Sequence, residues 1–225
     1  MKDLVIVVPV YNRKRTVEIS LSNLSKYKQN STLWVYDDCS TEFGPEFLAG
    51  YADKLVMGHK NLGVHGIRWK QLHDFIESDF KYIYLTDSDS FHDPNFLNVL
   101  KGLPKGNPIS LYTSDCNAFI SKKETFKRKW SGGISHFYTR EMIEDILERA
   151  KNIDKKDGWD YKFPQLLKKE FLVTRTSYLD HLGAYGIHSG DSWDHDRAKN
   201  PTEFLRTRRA PYIDYVEGKA SSYIL

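Results

Sequence analysis

Residues 82–90 read YIYLTDSDS, an apolar run that stops at two acidic side chains. The run is short and rich in β-branched and aromatic residues, which is typical of a buried strand. Asp87 and Asp89 stand where that strand would end, so both carboxylates can reach one cation. Mg²⁺ and Mn²⁺ prefer oxygen ligands and bind through one or two carboxylates plus substrate phosphates. The stretch therefore predicts a cation-binding turn at a sheet edge, and a simple cap before Asp93 is the structural alternative.

Three earlier apolar runs have the same character and alternate with helical patterns. The predicted strands cover 4–8, 33–36, 54–57 and 82–85, and apolar residues at helical spacing mark 16–27 and 67–76. Strands that alternate with helices are typical of a parallel sheet covered on both faces. We therefore predict an α/β fold with a mostly parallel, Rossmann-like sheet and helices on both faces.

The second half of the chain has a weaker pattern. It predicts a strand at 109–113, a helix at 140–150, a helix at 161–169 and a strand at 171–174, followed by mostly loop after about residue 180. No proline- or glycine-rich linker separates the two halves. We therefore predict a single domain over residues 1–225.

The composition is that of a soluble globular protein with balanced charge. The chain has 225 residues, 40% of them hydrophobic, with 33 basic and 30 acidic residues and a net charge of +3. So small an excess of positive charge argues against a nucleic-acid partner. Two cysteines, Cys39 and Cys116, exclude a disulfide framework, and no apolar run is long enough for a transmembrane segment. Residues 1–11 lack the pattern of a signal peptide, so we predict a cytoplasmic protein, soluble or peripherally associated with a membrane surface.

Polar loops follow each of the four predicted strands of the first half. Ligands of open parallel α/β sheets bind beyond the carboxyl ends of the strands. The loops are Pro9-Val10-Tyr11-Asn12-Arg13, Asp37-Asp38-Cys39-Ser40, Asn61-Leu62-Gly63 and Asp87-Ser88-Asp89. Together they predict a binding site rich in carboxylates, although Asp37 and Asp38 could instead cap the next helix.

These loops, in this order and spacing, resemble the inverting GT-A glycosyltransferases of family 2. The resemblance covers residues 1–100 and continues weakly through Gly158-Trp159-Asp160 and 177–183. It implies the GT-A fold and a metal-dependent hexosyltransferase that uses Mn²⁺ or Mg²⁺. The donor would be a nucleoside-diphosphate sugar, with a UDP-sugar favoured, and the acceptor a glycan or other hydroxyl, as in polysaccharide biosynthesis. Residues 1–100 would bind the nucleotide sugar, and residues 101–225 the acceptor, with a flexible C-terminal loop.

The resemblance also implies roles on the donor side. It places Tyr11 near the nucleotide base, and Asp38 would accept a hydrogen bond from that base. It directs Arg68 towards the diphosphate or the sugar. Asp89 would be the principal metal ligand, and His181 would touch the metal or the diphosphate. The implied donor-binding residues are Pro9, Tyr11, Asn12, Arg13, Asp38, Gly63, Arg68, Asp87 and Ser88.

The acceptor side has one catalytic candidate. The resemblance puts the general base at Asp160, which would take the acceptor's proton on the face opposite the leaving group. A first-turn acid that favours the helix dipole is the structural alternative for this residue. Residues 130–135 resemble the family's acceptor-side loop, which makes Trp130 and Gly133 acceptor-side candidates together with Trp159. An aromatic ring can stack on a sugar and glycine allows close approach, but a structural turn explains the same segment.

A histidine-rich stretch and a basic run lie near the C-terminus. His181, His188 and His195 recur every seven residues, a spacing that fits no compact zinc site. We instead expect a flexible flap over the donor site. Its mobile glycines and nearby side chains would be Gly183, Gly186, Gly190, Trp193 and Arg197. We interpret the basic run, Arg206, Arg208 and Arg209, as part of a solvated surface.

Two other classes of function remain open. A nucleotidyltransferase also joins a Rossmann-like sheet to an Asp-bound Mg²⁺, but it would need a glycine-rich loop after the first strand, where this chain has PVYNR at 9–13. A non-catalytic nucleotide- or carbohydrate-binding module is the third candidate. The candidate base Asp160 argues against it, because a pure binder needs no base. The residues favour no particular oligomeric state.

Overall fold

The computed structural model describes residues 2–113, 123–151, 158–182 and 197–222. The strands are β1 (Leu4–Val10), β2 (Thr32–Asp37), β3 (Lys54–Met57), β4 (Tyr82–Thr86), β5 (Ser90–His92), β6 (Ile109–Ser110), β7 (Thr125–Arg128), β8 (Ser135–Thr139), β9 (Phe171–Thr174) and β10 (Leu179–His181). The helices are α1 (Lys14–Tyr27), α2 (Pro45–Ala49), α3 (Gly63–Ile76), α4 (Phe96–Gly102), α5 (Arg140–Arg149), α6 (Trp159–Leu167) and α7 (Glu203–Val216).

The central sheet has the strand order β3-β2-β1-β4-β8-β6-β9-β7. The first four strands are parallel to one another, whereas β8 runs antiparallel to both β4 and β6. A second, two-stranded sheet pairs β5 with β10, and it places His181 opposite Ser90. The predicted α/β fold with a mostly parallel sheet is confirmed, and the carboxyl ends of β1 to β4 share one edge.

Strand β1 shows why the sheet is covered on both faces. Its residues alternate between two hydrophobic clusters, with Ile6 and Val8 in one and Val5 and Val7 in the other. Side chains of a strand point alternately to opposite faces, so each face needs its own cover. Apolar residues of α1 and α4 complete the first cluster, and those of α3, α5 and α6 complete the second.

Most of the predicted elements are present, with changed ends. The strand expected at 109–113 is only Ile109–Ser110, and the helix expected at 161–169 covers Trp159–Leu167. The N-cap of α6, Gly158, has a φ of 47°, a left-handed conformation that glycine adopts easily. Residues 130–134, which the sequence suggested as an acceptor-side loop, lead directly into β8. The sequence pattern did not predict the strand β8.

The prediction of mostly loop beyond residue 180 is wrong for Glu203–Val216, which form α7. The Thr202 side chain caps this helix by accepting a hydrogen bond from the Leu205 N–H. Leu205 and Tyr212 are buried in a third cluster with Ile19 and Phe91. Packing against α1 and β5 therefore holds a helix whose own sequence, with Pro211 inside it, carries little amphipathic signal.

None of the helices in the four described ranges combines the length and the apolar character needed to cross a bilayer.

Candidate active site

The loops after β1 and β2 have an unusual backbone. Asn12, Arg13 and Cys39 adopt positive φ angles of 52°, 58° and 69°. Such angles are uncommon for residues other than glycine, and they cluster at ligand-binding and catalytic sites. The strain marks the same sheet edge that the sequence pattern indicated.

Asn12 ties these two loops together. Its backbone N–H donates to Ser40 Oγ at 2.9 Å, and its Oδ1 accepts from the backbone N–H groups of Thr41 at 2.8 Å and Glu42 at 3.2 Å. The side chain that was expected to bind the donor is therefore engaged in shaping the loop. Its contribution to a ligand site is to hold the two strand ends in one arrangement.

Asp38 fixes the start of α3 against the end of β2. Its two carboxylate oxygens accept from the Leu62 N–H at 2.8 Å and the Gly63 N–H at 2.9 Å. Gly63 has a φ of 69°, which explains the need for glycine there. Burial raises the pKa of Asp38, although the two N–H donors oppose this. The capping alternative is wrong for the next helix, because α2 has Gly44 at its N-cap and no side-chain cap. Asp38 instead binds the start of α3, and Asp37 accepts from the Ser40 N–H at 3.0 Å.

Asp89 lies between two basic side chains. Arg13 Nη1 is 3.0 Å from Asp89 Oδ2, and His181 Nε2 is 3.3 Å from Asp89 Oδ1. Burial alone would raise the pKa of Asp89, but His181 and Arg13 outweigh it and hold that pKa well below its usual range. The pairing of β10 with β5 brings His181 here, and the Leu182 N–H donates to the Asp89 carbonyl at 2.7 Å. Asp89 and His181, predicted as metal ligands, are thus neighbours.

Asp89 and His181 suit a divalent cation whose remaining ligands are water and phosphate oxygens. Asp89 Oδ1 is buried and faces His181 Nε2 at 3.3 Å, so a cation at this point would take both side chains as ligands. Among the described residues no group of three or more His, Cys, Asp or Glu side chains could hold a metal ion. One carboxylate and one imidazole leave the remaining positions to water and phosphate oxygens, which is the usual arrangement for such ions. The donor set therefore fits Mn²⁺ or Mg²⁺.

Arg68 is fully buried beneath the acidic turn. It donates to the Thr86 carbonyl at 2.8 Å and to Gln71 Oε1 at 2.9 Å, and it forms an ion pair with Asp87. Its exposure is 0%, so no ligand can reach the guanidinium in this structure. In this arrangement Arg68 acts on the site through Asp87, and the expected contact of Arg68 with the diphosphate or the sugar stays a prediction.

Trp159 joins Arg68 to the helix that carries the candidate base. The Arg68 guanidinium carbon lies 4.7 Å from the centroid of the Trp159 ring. The ring is only 3% exposed and also packs on Phe163, so it offers no face to an acceptor. The acceptor-side role of Trp159 stays a prediction, and in this structure the ring supports the start of α6 from inside the core. Asp160 follows in the first turn of α6 and is half-buried.

Gly133 lies directly against this helix start. A Cβ atom at Gly133 would stand 2.6 Å from Trp159 Cζ2 and 3.4 Å from Asp160 Cβ. Only glycine fits so close an approach. Trp130, three residues earlier, is 44% exposed and keeps an aromatic surface open to solvent.

The remaining predicted donor residues lie at the same edge. Pro9 is half-buried in β1, in register with Tyr36, and Tyr11 is half-buried just beyond that strand. Ser88 is buried between the two acids of the turn. The structure thus brings the predicted donor residues around the ends of β1, β2 and β4, with Gly63 at the start of α3.

Sequence reasoning missed a buried carboxylate beside His181. Asp180 is 0% exposed, and its Oδ2 accepts from Arg209 Nε at 2.6 Å and from Tyr212 Oη at 2.8 Å. The solvated interpretation of the basic run is therefore wrong for Arg209. The sequence shows Asp180 next to the candidate ligand His181, and Arg209 near the C-terminus. Nothing in the sequence predicts that Asp180 and Arg209 are in contact.

Several positions named in the sequence analysis lie outside the described residues. These positions are Cys116, Gly183, Gly186, His188, Gly190, Trp193 and His195. The hypothesis of a flexible flap depends on these glycines, so it concerns residues outside the described ranges and stays a prediction. Arg197 is within the described range and is half-buried.

Residues 5–151 match the family described as Glycosyl transferase family 2. No curated protein matches the chain.

Solved structures with the same fold share little sequence with this chain. TarS from S. aureus superimposes with a TM-score of 0.61 at 17% identity, over 80% of this chain and 36% of TarS. A structure of S. aureus TarS 1–349 in complex with UDP-GlcNAc gives the same TM-score and identity, over 80% of this chain and 58% of that one. The mannosyltransferase PcManGT from Pyrobaculum calidifontis, in complex with GDP-Man and Mn²⁺, gives 0.56 at 17% identity, over 99% of this chain and 66% of that one. This chain therefore spans from about a third to two thirds of the length of these structures.

Proposed function

The chain belongs to glycosyl transferase family 2 and has the GT-A fold, and from this we propose that it transfers a sugar from a nucleoside-diphosphate sugar to a hydroxyl acceptor. Residues 1–100 would hold the donor and residues 101–225 the acceptor, within one domain. The transfer would proceed with inversion at the anomeric carbon and with Mn²⁺ or Mg²⁺ bound. The acceptor class we favour is a glycan.

One observation carries the proposal. Arg68 contacts both Asp87, in the acidic turn after β4, and the Trp159 ring, next to the candidate base Asp160. The same turn places Asp89 beside Arg13 and His181. A buried arginine therefore holds the acids of the donor side close to the helix that carries the acceptor-side carboxylate, and group transfer depends on such proximity.

The nucleotide would lie over the ends of β1 and β2. Asp38 would accept a hydrogen bond from the base, because each carboxylate oxygen has a lone pair left after it accepts one N–H. Tyr11, half-buried beside this pocket, would contact the base with its ring. The solved relatives are complexed with UDP-GlcNAc or GDP-Man. We favour a UDP-sugar, as the sequence resemblance implies.

The diphosphate would lie over Arg13 and the acidic turn. As the bond from the anomeric carbon to the diphosphate oxygen breaks, negative charge grows on the leaving group and must be stabilised. The Arg13 side chain is 22% exposed and can turn from Asp89 towards that charge. A divalent cation, held by Asp89 and His181, would supply further positive charge there when bound.

Asp160 would act as the general base. Its carboxylate would take the proton of the acceptor hydroxyl while the hydroxyl oxygen attacks the anomeric carbon from the face opposite the diphosphate, which inverts that centre. Asp160 is half-buried in the first turn of α6. The Trp130 ring, which is exposed, would stack on an acceptor sugar.

The test is the release of nucleoside diphosphate by the purified chain. UDP-glucose, UDP-GlcNAc and GDP-mannose are each incubated with a panel of glycan acceptors, with Mn²⁺, with Mg²⁺ and with EDTA. We expect metal-dependent turnover of one donor, and a product whose anomeric proton coupling shows inversion. Asp160→Asn should lower kcat by about 10²–10⁴-fold, the usual contribution of a general base, with donor affinity unchanged.

Two results would contradict the proposal. Turnover that survives Asp160→Asn would remove the base assignment. Donor binding without turnover of any sugar, in the wild type and Asp160→Asn alike, would instead support a non-catalytic binding module.

A further inference from the structure

Asp180 is a buried carboxylate at which three parts of the chain meet. Its Oδ1 accepts from the backbone N–H groups of His181 at 3.1 Å and Ala198 at 3.2 Å. Its Oδ2 accepts from Arg209 Nε at 2.6 Å and Tyr212 Oη at 2.8 Å, both on α7. A carboxylate with no solvent exposure is costly to bury unless it is paired in this way. Strand β10, the return segment at Ala198 and helix α7 are thus joined at one side chain.

We propose that Asp180, held by Arg209 and Tyr212, positions the His181 imidazole against Asp89, so that α7 is a working part of the donor site. The inference rests on the proposed function, in which His181 and Asp89 share a cation. Asp180, Arg209 and Tyr212 are positioning residues, since they act through His181 and are not proposed to touch the ligand.

The alternation of side chains along a strand gives the mechanical reason. Successive residues of β10 point to opposite sides, so locking Asp180 on one side sets the direction of His181 on the other. Strand β10 has three residues and pairs with β5 alone among the described strands. A two-stranded sheet is marginal without support. The anchor on α7 supplies that support next to the residue whose direction matters.

The same helix offers matched controls. Tyr215 Oη donates to Glu18 Oε2 at 2.5 Å, and Thr202 Oγ1 donates to Asp93 Oδ2 at 2.6 Å. Both contacts hold α7 to the body of the protein, and neither reaches Asp180. Tyr212→Phe and Tyr215→Phe therefore each remove one hydroxyl-to-carboxylate hydrogen bond from α7, and only the first removes it from Asp180.

The experiment measures Mn²⁺ affinity by the electron paramagnetic resonance signal of free Mn²⁺, alone and with UDP or GDP present. The variants of the full chain are His181→Ala, Arg209→Gln, Tyr212→Phe, Tyr215→Phe and the double variant His181→Ala with Arg209→Gln. Loss of a group that hydrogen-bonds a metal ligand costs about 10–100-fold in metal affinity. Arg209 bonds Asp180 and not His181 itself, so we expect at most about tenfold for Arg209→Gln. Tyr212→Phe, which loses one hydrogen bond, should cost about threefold. Circular dichroism and thermal unfolding identify any variant that fails to fold.

The double variant separates positioning from general destabilisation. If Arg209 acts through His181, then Arg209→Gln should weaken Mn²⁺ binding no further once His181 is alanine. Tyr215→Phe should bind Mn²⁺ as the wild type does. Should Arg209→Gln fail to fold, the comparison of Tyr212→Phe with Tyr215→Phe decides the question.

The outcomes that overturn the inference differ from those that overturn the proposed function. Weaker binding in His181→Ala but not in Arg209→Gln or Tyr212→Phe would refute the positioning role alone. Equal losses in Tyr212→Phe and Tyr215→Phe, or losses that add in the double variant, would also refute it. A wild-type chain that binds no Mn²⁺ with either nucleotide would refute the proposed metal site, and the positioning role with it.

Discussion

Replacing Arg68 by methionine should destabilise the fold more than any surface arginine. The substitution removes the hydrogen bonds to the Thr86 carbonyl and Gln71, the ion pair with Asp87, and the contact with the Trp159 ring. Removing one partner of a buried ion pair costs about 3–5 kcal/mol, because the other charge is left unpaired. The Asp87 side chain is 26% exposed and can regain some hydration. We therefore expect a loss of about 3 kcal/mol, at the lower end of that range.

The assay is urea unfolding at pH 7, followed by circular dichroism. Arg149→Met is the matched control, because Arg149 pairs with Asp145 on the surface of α5 with 40% of its side chain exposed. An exposed helical pair of this kind contributes about 0.3–0.5 kcal/mol, so the control should barely move the midpoint. Asp87→Asn and the double variant complete a cycle, and the coupling between Arg68 and Asp87 should exceed about 1 kcal/mol.

The kinetics of the same variants distinguish an indirect from a direct role. If Arg68 supports the site from beneath, kcat should fall with stability while the affinity for free nucleoside diphosphate changes little. A stability within about 0.5 kcal/mol of the wild type, together with a sharp loss of diphosphate affinity, would refute the reasoning and return Arg68 to direct contact with the ligand.

Three further predictions follow from burial and backbone geometry. Burial lowers the pKa of His92 and of His136 to about 3. In the unfolded chain both imidazoles take up a proton below about pH 6.5, whereas in the folded chain they stay neutral down to about pH 3. The free energy of unfolding should therefore fall from pH 6.5 towards pH 3, by up to about 1.4 kcal/mol per pH unit for each histidine. His92→Gln should nearly halve that slope in urea titrations at pH 7 and pH 5, and an unchanged slope would contradict the buried, neutral state. Gly63 has a φ of 69° and open space around it, so Gly63→Ala should lower the free energy of unfolding in urea by about 1–2 kcal/mol. Gly63→Asn should lower it less, because asparagine tolerates that conformation. Equal stabilities of the two variants would refute the backbone argument. Gly133→Ala would bring a Cβ within 2.6 Å of a Trp159 ring atom, so we expect a loss of about 1–3 kcal/mol and a lower kcat, both absent if the loop simply moves aside.

The N-terminal half of the fold was readable because its strands are buried on both faces. Such strands appear as short apolar runs, as in 4–8 and 82–85, and each run is followed by the polar residues of the edge. The positions of Asp38 and Asp89 follow from that rule alone. The amino-acid sequence is therefore sufficient to predict the edge of the sheet at which these acidic side chains lie.

The errors arose where tertiary contacts override the local sequence. Arg68 looks like a surface residue of a helix, and it is buried only because remote segments supply Thr86, Asp87 and Trp159 as partners. Helix α7 contains Pro211 and a run of arginines, and it forms because Leu205 and Tyr212 find a cluster built by α1 and β5. The link from Arg209 to Asp180 is equally invisible, since it joins residues 29 positions apart.

The packing of α7 on α1 sets the order in which the molecule can be completed. Tyr215 bonds to Glu18, 197 residues earlier, so one contact spans nearly the whole chain. At a synthesis rate of about 5–20 residues per second, α7 leaves the ribosome roughly 10–40 s after α1. Strands β1 to β4 can pair long before that, since they adjoin one another in sequence and in space. The sheet edge at the ends of β1, β2 and β4 is therefore formed early in folding. The contact between Asp89 and His181 forms only in the last stage, once β10 and α7 have been made.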